Sequence, residues 1–164
     1  MKFLEILLSL LLLAALVYMF PAKSIPMRAA ECAPTDRDEY TYSPERFLTL
    51  SPCVRVTGIV RGGAFSLVEG DGMFDVELDA PYRFTLNAAN AQNTRGNLHL
   101  EIVCFVEPEV SHWSHYTCAK DKTQTLFKLP RAGARIWAEG RWVLDLWHGG
   151  HAELHPVYRW GELE

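Results

Sequence analysis

The sequence has no surplus of positive charge: Lys and Arg number 16 against 20 Asp and Glu, a net of −4. A nucleic-acid binder ordinarily presents a basic face, so this balance gives DNA or RNA no support as a partner. The four cysteines contain no C-x-x-C pair, which argues against a zinc ribbon or a redox motif. There is no G-x-S-x-G and no Ser-His-Asp pattern at meaningful spacing, and pairing all the cysteines leaves no free thiol. No motif therefore points to a nucleophile for covalent catalysis. Repeats and low-complexity tracts are absent. The 164 residues suffice for one domain with a core and are too few for two.

What is present begins with an apolar segment. "MKFLEILLSLLLLAALVYMF" is apolar from Ile6 to Phe20 except for Ser9, with Lys2 ahead of it and Lys23 and Arg28 behind. As a helix, Phe3 to Phe20 rises about 27 Å, just short of a hydrocarbon core of roughly 30 Å. No good cleavage site follows: Ala22, Ala30 and Ala33 have Phe20, Arg28 and Glu31 at their −3 positions, and Glu31 spoils a lipoprotein reading of Cys32. The expectation is a membrane anchor over residues 1–22, with a cleaved signal as the alternative. An export segment followed by Cys32, Cys53, Cys104 and Cys118 predicts two disulfides, Cys32–Cys53 and Cys104–Cys118. The globular part then lies outside the cytoplasm, in the cell envelope.

Residues 23–45, rich in Pro, Asp, Glu and Arg, read as a tether, and residues 46–164 as the domain. Strands follow. "CVRVTGIV", "MFDVELD", "NLHLEIVCF", "ARIWAEGRWVLDL" and "AELHPVY" alternate apolar with polar residues, the period of half-buried strands. Pro156 inside the last run predicts an edge position or a bulge. The connection from Glu107 to Pro130 holds "SHWSHYTCAK", the best place for a short helix. Three strands, a helical connection and two strands is the order of an all-β, five-stranded OB-like barrel; an immunoglobulin-like sandwich needs about seven strands.

"PERFLTLSPCVRVTGIV", "EGDGMFDVELD", "GNLHLEIVC" and "RWVLDLWHGGHAELHPV" resemble, in order and spacing, a group of exported bacterial and archaeal OB-like domains. That group carries P-x-R-L before a cysteine and V-T-G, then D-G-D-x-H-I, G-D-L-V-V-E-x-x-C, V-T-G-x-Y-V-L-D and a closing H-G-W-x-E-I-H-P-V. The resemblance spans Ser43 to Val157. Gly70 and Asp71 match the D-G-D core, Leu144 and Asp145 the fourth motif, and Glu153, His155, Pro156 and Val157 the closing one. Met73 stands where the group has histidine, Glu69 replaces the first aspartate, and Gly150-His151 replaces the tryptophan. The resemblance implies a fold and implies no particular activity.

The stretch "HGGHAELHPV" concentrates the candidate chemistry. On a strand, His151, Glu153 and His155 share one face and Ala152 and Leu154 the other. Consecutive same-face side chains stand about 6.6 Å apart, so a metal held by His155 and Glu153 needs a ligand from another strand, with Asp71 or Asp75 as candidates. Three readings follow: a hydrogen-bonded pair of Glu153 and His155 that locks the strand, a ligand pocket, or a divalent-metal site of His155, Glu153 and Asp71. Of the tryptophans, Trp142 is on the apolar phase, while Trp137 on the opposite phase and Trp147 at a turn either pack against the linker, the favoured reading, or stack on a ligand. The trio His112, His115 and Cys118 has near-helical spacing, but Cys118 is assigned to a disulfide. "EGDG" is similar to the D-G-D of OB-fold nucleases, without the basic phosphate clamp such enzymes need. The chain is therefore expected to be a binding module for a small molecule, glycan or protein, with no required cofactor. The alternatives are a metal-dependent hydrolase using Glu153, His155 and Asp71, or a structural subunit of the envelope.

Overall fold

Alternation becomes five strands. The computed structural model describes residue 32, residues 36–109, residue 118 and residues 128–164. Residues 1–31, which include the apolar segment, and His112, Trp113 and His115 with the helix expected around them, lie outside the described residues. Among the described residues no helix is long and apolar enough to cross a membrane. The strands are β1 (Phe47–Phe65), β2 (Gly72–Leu78), β3 (Leu98–Ile102), β4 (Arg135–Asp145) and β5 (His151–Glu162). They close into a barrel in the order β1-β2-β3-β5-β4, and β4 pairs back onto β1. All neighbours are antiparallel except β3 and β5, which run parallel.

Inward-facing Val54, Val56, Val60, Phe74, Val76, Leu78, Leu98, Leu100, Ile102, Ile136, Leu154 and Val157 fill the barrel. Each fully buried aliphatic or aromatic side chain of this size contributes roughly 1.5–3 kcal/mol. β1 is much longer than its clearest alternation, because it bends around the barrel and serves two neighbours. Its first part pairs with β4 and its last part with β2, with bulges near Ser51 and Gly62. Gly58 pairs with both Leu78 and Ile136, and a Cβ there would collide with the Glu77 carbonyl and approach Val76 Cγ1 to 2.7 Å. Pro156 sits at a bulge rather than at an edge: Gly140 faces Val157 while Trp142 faces Leu154. The extra residue shifts the phase, so Val157 rather than Pro156 enters the core.

A 3₁₀ helix (Ala80–Thr85) and one short α-helix stand between β2 and β3. Helix α1 (Ala88–Asn93) starts with a capping box in which Asn87 and Asn90 each accept from the other's backbone N–H. Asn90 then acts as a strand partner for β5: its Nδ2 donates to Ala152 O (2.8 Å) and its Oδ1 accepts from Ala152 N (3.1 Å). The segment read as a tether already rests on the barrel from residue 36. A 3₁₀ turn spans Asp36–Tyr40, the Arg37 guanidinium donates to the Val103 carbonyl, and the Tyr158 hydroxyl donates to Asp38 (3.0 Å). Both expected disulfides are present, Cys32–Cys53 and Cys104–Cys118, which suits an oxidising compartment.

Candidate functional site

The outward phases of three neighbouring strands meet on one face of the barrel. On β5 the inward residues are Ala152 and Leu154, leaving His151, Glu153 and His155 outward. The parallel pairing sets His99 of β3 beside Glu153, and the antiparallel pairing sets Asp75 and Met73 of β2 beside His99 and Glu101. Strand pairing thus gathers three histidines and three carboxylates from separate parts of the chain.

The upper half of this face is sealed. A 3₁₀ turn (Pro44–Arg46) and Phe47 fold over it, leaving Arg46 2 % exposed. The guanidinium grips Glu69 through two bonds (2.9 and 3.0 Å) and lies 3.4 Å from Asp145 and 3.9 Å from Glu101. The Phe47 ring packs 4.4 Å from the His155 ring, centroid to centroid. Beneath it, His155 Nδ1 lies 2.8 Å from Glu101 Oε2 and 3.2 Å from Glu153 Oε1. Burial alone would lower the pKa of His155, yet the charge and hydrogen bond of Glu101, reinforced by Glu153, push it up to about 10. Burial likewise opposes ionisation of Glu101, but His155 and His99 hold its carboxyl well below the usual range. On the other edge of the ring, His155 Nε2 faces Asp71 Oδ2 at 3.8 Å. Both Asp71 oxygens lack a hydrogen bond, and burial pushes this carboxyl well above the usual carboxylate range.

The lower half opens into a cleft of about 780 Å³. Its floor is Met73, Asp75, His99, Glu101, His151 and Glu153, and its rim is Asn93, Thr94, His148 and Gly149. Helix α1 holds the rim. Asn93 Nδ2 donates to His148 O (2.8 Å) and Asn87 Nδ2 to Gly150 O (2.7 Å). Asp145 closes the β4–β5 turn by accepting from the backbone of Trp147 and His148 (2.8 and 3.1 Å). The two floor histidines are oriented alike. His99 Nδ1 lies 2.8 Å from Asp75 Oδ1, and His151 Nδ1 lies 2.9 Å from the His148 carbonyl. A carboxylate and a carbonyl only accept, so both Nδ1 atoms carry a proton. Each Nε2 then points at a carboxylate: His99 at Glu101 Oε1 (3.1 Å) and His151 at Glu153 Oε2 (3.3 Å). Burial would lower the pKa of His99, yet bonds to Asp75 and Glu101 push it up to about 10.

The residues singled out in the sequence are only partly gathered here. Glu153, His155 and His151 adjoin as their spacing predicts. Asp71 joins them, but beside His155 Nε2, whereas Glu153 lies at Nδ1. The two carboxylates thus flank opposite nitrogens of one ring, and the group Asp71 clusters with is Glu101 and His155. Trp137 stacks under Arg55 (4.6 Å) against Gly161, Trp147 is 60 % exposed, and neither lines the cleft. His99, Glu101 and Arg46 escaped the sequence reading, although the polar phase of "LHLEI" was visible. Placing β3 next to β5 would have aligned that phase with "HAELH". No protein-family model matches the chain, and no curated protein or solved structure matches it.

Proposed function

We propose that the protein is an extracytoplasmic binding module on an OB-like barrel, tethered to a membrane by its N-terminal apolar segment, with the cleft as its ligand site. The strand order with parallel β3 and β5 and a long, bent β1 supports the OB-like reading. OB barrels bind on the face of their second and third strands and on the loop between the fourth and fifth. The cleft lies over that same ground, floored by Met73, Asp75, His99 and Glu101 and rimmed by His148 and Gly149. The observation that carries the proposal is a concave site in which convergent polar groups are pre-positioned by strand pairing and by helix α1. A metal-dependent hydrolase built on Glu153, His155 and Asp71 receives less support, because Asp71 and His155 are at most 1 % exposed and neither lines the cleft that Glu153 faces.

The test is a thermal-shift screen of the full chain in mild detergent against divalent metals, small anions and glycans, with hits mapped by amide shifts. Hits are expected to perturb Met73, Asp75, His99, Gly149 and His151. Ligands that map instead to Trp137 or Trp147 overturn the cleft as the binding site. For the tether, the chain is expected to stay with the membrane through residues 3–20, and N-terminal sequencing that begins at Lys23 or Glu31 refutes it.

A further inference from the structure

We propose that the cleft binds a divalent transition-metal ion of the zinc class, ligated by His99 Nε2, Glu101 Oε1, Glu153 Oε2 and His151 Nε2. This rests on the reading of the cleft as the binding site and names its occupant. The argument starts from His155. Its Nδ1 takes one oxygen of Glu101 (2.8 Å) and one of Glu153 (3.2 Å), so each carboxylate is held from behind and turns its other oxygen to the cleft. Those free oxygens are the ones that meet the histidines, Glu101 Oε1 with His99 and Glu153 Oε2 with His151. One donor atom each from His99, Glu101 and Glu153 lies within 4.8 Å of the other two, while His151 stands outside that trio and adjoins it through Glu153 Oε2 (3.3 Å), so it must close on the ion to be the fourth ligand. Ligands of a tetrahedral zinc at about 2.1 Å stand roughly 3.4 Å apart, so the separations of 3.1 and 3.3 Å already match ligand–ligand edges.

Two further features point to a metal rather than to ion pairs alone. Metal-bound histidines characteristically donate their second ring N–H to a carboxylate or a carbonyl, which fixes the tautomer. His99 does so to Asp75, and His151 does so to the His148 carbonyl. The second feature is a buried nitrogen without a well-formed hydrogen bond. His151 is 6 % exposed, and its Nε2 makes no hydrogen bond although Glu153 Oε2 stands 3.3 Å away as an ion pair. A metal ion takes the place of the proton between the two, and its charge offsets the buried carboxylates of Glu101 and Glu153. Two imidazole nitrogens with two carboxylates suit zinc, cobalt, nickel or copper, whereas calcium and magnesium take all-oxygen sets. His155 is a positioning residue here, since its Nδ1 faces the far side of both carboxylates.

The experiment is a zinc titration of the full chain, stripped with chelator and kept in mild detergent, by competition against a chromophoric indicator. Imidazole nitrogen shifts are recorded in parallel. One zinc per chain is expected, moving the Nε2 signals of His99 and His151 and leaving that of His148 in place. His99→Ala and Glu153→Gln are expected to weaken binding by about 100-fold or more, and the rim control His148→Ala by less than about threefold. Glu153→Gln keeps the side chain's shape, so a fold defect in His99→Ala does not leave the question open. Failure to bind zinc at roughly 100 µM overturns the proposal, as does zinc binding that ignores both ligand substitutions. If another ligand still maps to Met73 and His99 in the screen above, only the metal is lost. If zinc and every other hit map elsewhere, the cleft itself is refuted.

Discussion

Replacing His155 by alanine tests the polar network most directly. The ring is 0 % exposed, with Glu101 and Glu153 sharing its Nδ1 at 2.8 and 3.2 Å and Phe47 packed at a tilt beside it. Without it, two carboxylates from adjacent strands face each other around a buried hole, with the Asp71 carboxyl on the other side. Removing one partner of a buried ion pair costs about 3–5 kcal/mol, against about 1–3 kcal/mol for a merely unsatisfied neutral group. The larger range applies because the group left behind is a pair of charges. Against a total stability of roughly 5–15 kcal/mol this is a large loss, readable in urea at neutral pH with chelator present. The pH dependence sharpens the test. His155 is raised from 6.5 to about 10 in the folded protein, so its contribution is complete below pH 6.5 and is lost as pH rises through about 10. Glu101 is lowered from 4.5, so its contribution holds above that pH and is lost on acidification through its folded value. The gap between wild type and His155→Ala is therefore widest between about pH 4.5 and 6.5 and narrows toward pH 10. A loss below about 1 kcal/mol, or a gap unchanged between those limits, refutes the ionic account.

Met73 faces Glu101 across the β2–β3 pair and lines the cleft, so Met73→His adds a nitrogen donor beside the proposed ion. Zinc affinity is expected to rise by about tenfold, and an unchanged affinity places the ion away from Glu101. Glu139 is fully buried between Arg55 (2.7 Å) and Arg159 (2.9 Å). Glu139→Ala should cost about 1–3 kcal/mol in the same urea assay, tempered because both arginines reach solvent; a neutral result makes the clamp dispensable. Peptide mapping without reduction should return Cys32–Cys53 and Cys104–Cys118. Opening the second, with a sequence separation of 14, is expected to cost roughly 3 kcal/mol, and a Cys53–Cys104 link contradicts the pairing.

Local pattern carried a good part of this fold and little of its chemistry. Side chains alternate across a strand whatever surrounds it, so "AELHPVY" by itself put Glu153 and His155 on one face and Leu154 on the other. The spacing of the cysteines, with an apolar segment ahead of them, was enough for both disulfides. Alternation stops being legible where the backbone leaves the regular pleat. The bulges near Ser51 hid the first part of β1, and the polar "NAANAQN" has no apolar period to announce helix α1, which stands on its Asn87–Asn90 cap and on Asn90 bonding Ala152. Only the tertiary structure decided which strand lies beside β5. Closing the ring in the order β1-β2-β3-β5-β4 brings His99 against Glu153 across some fifty residues of chain, and folds Arg46 and Phe47 over the same face. The outward phase of a strand is a local property of its backbone, whereas its neighbour follows from closing the whole barrel. The sequence therefore showed that His155 and Glu153 share a face, and barrel closure made that face a cleft with His99 and Glu101.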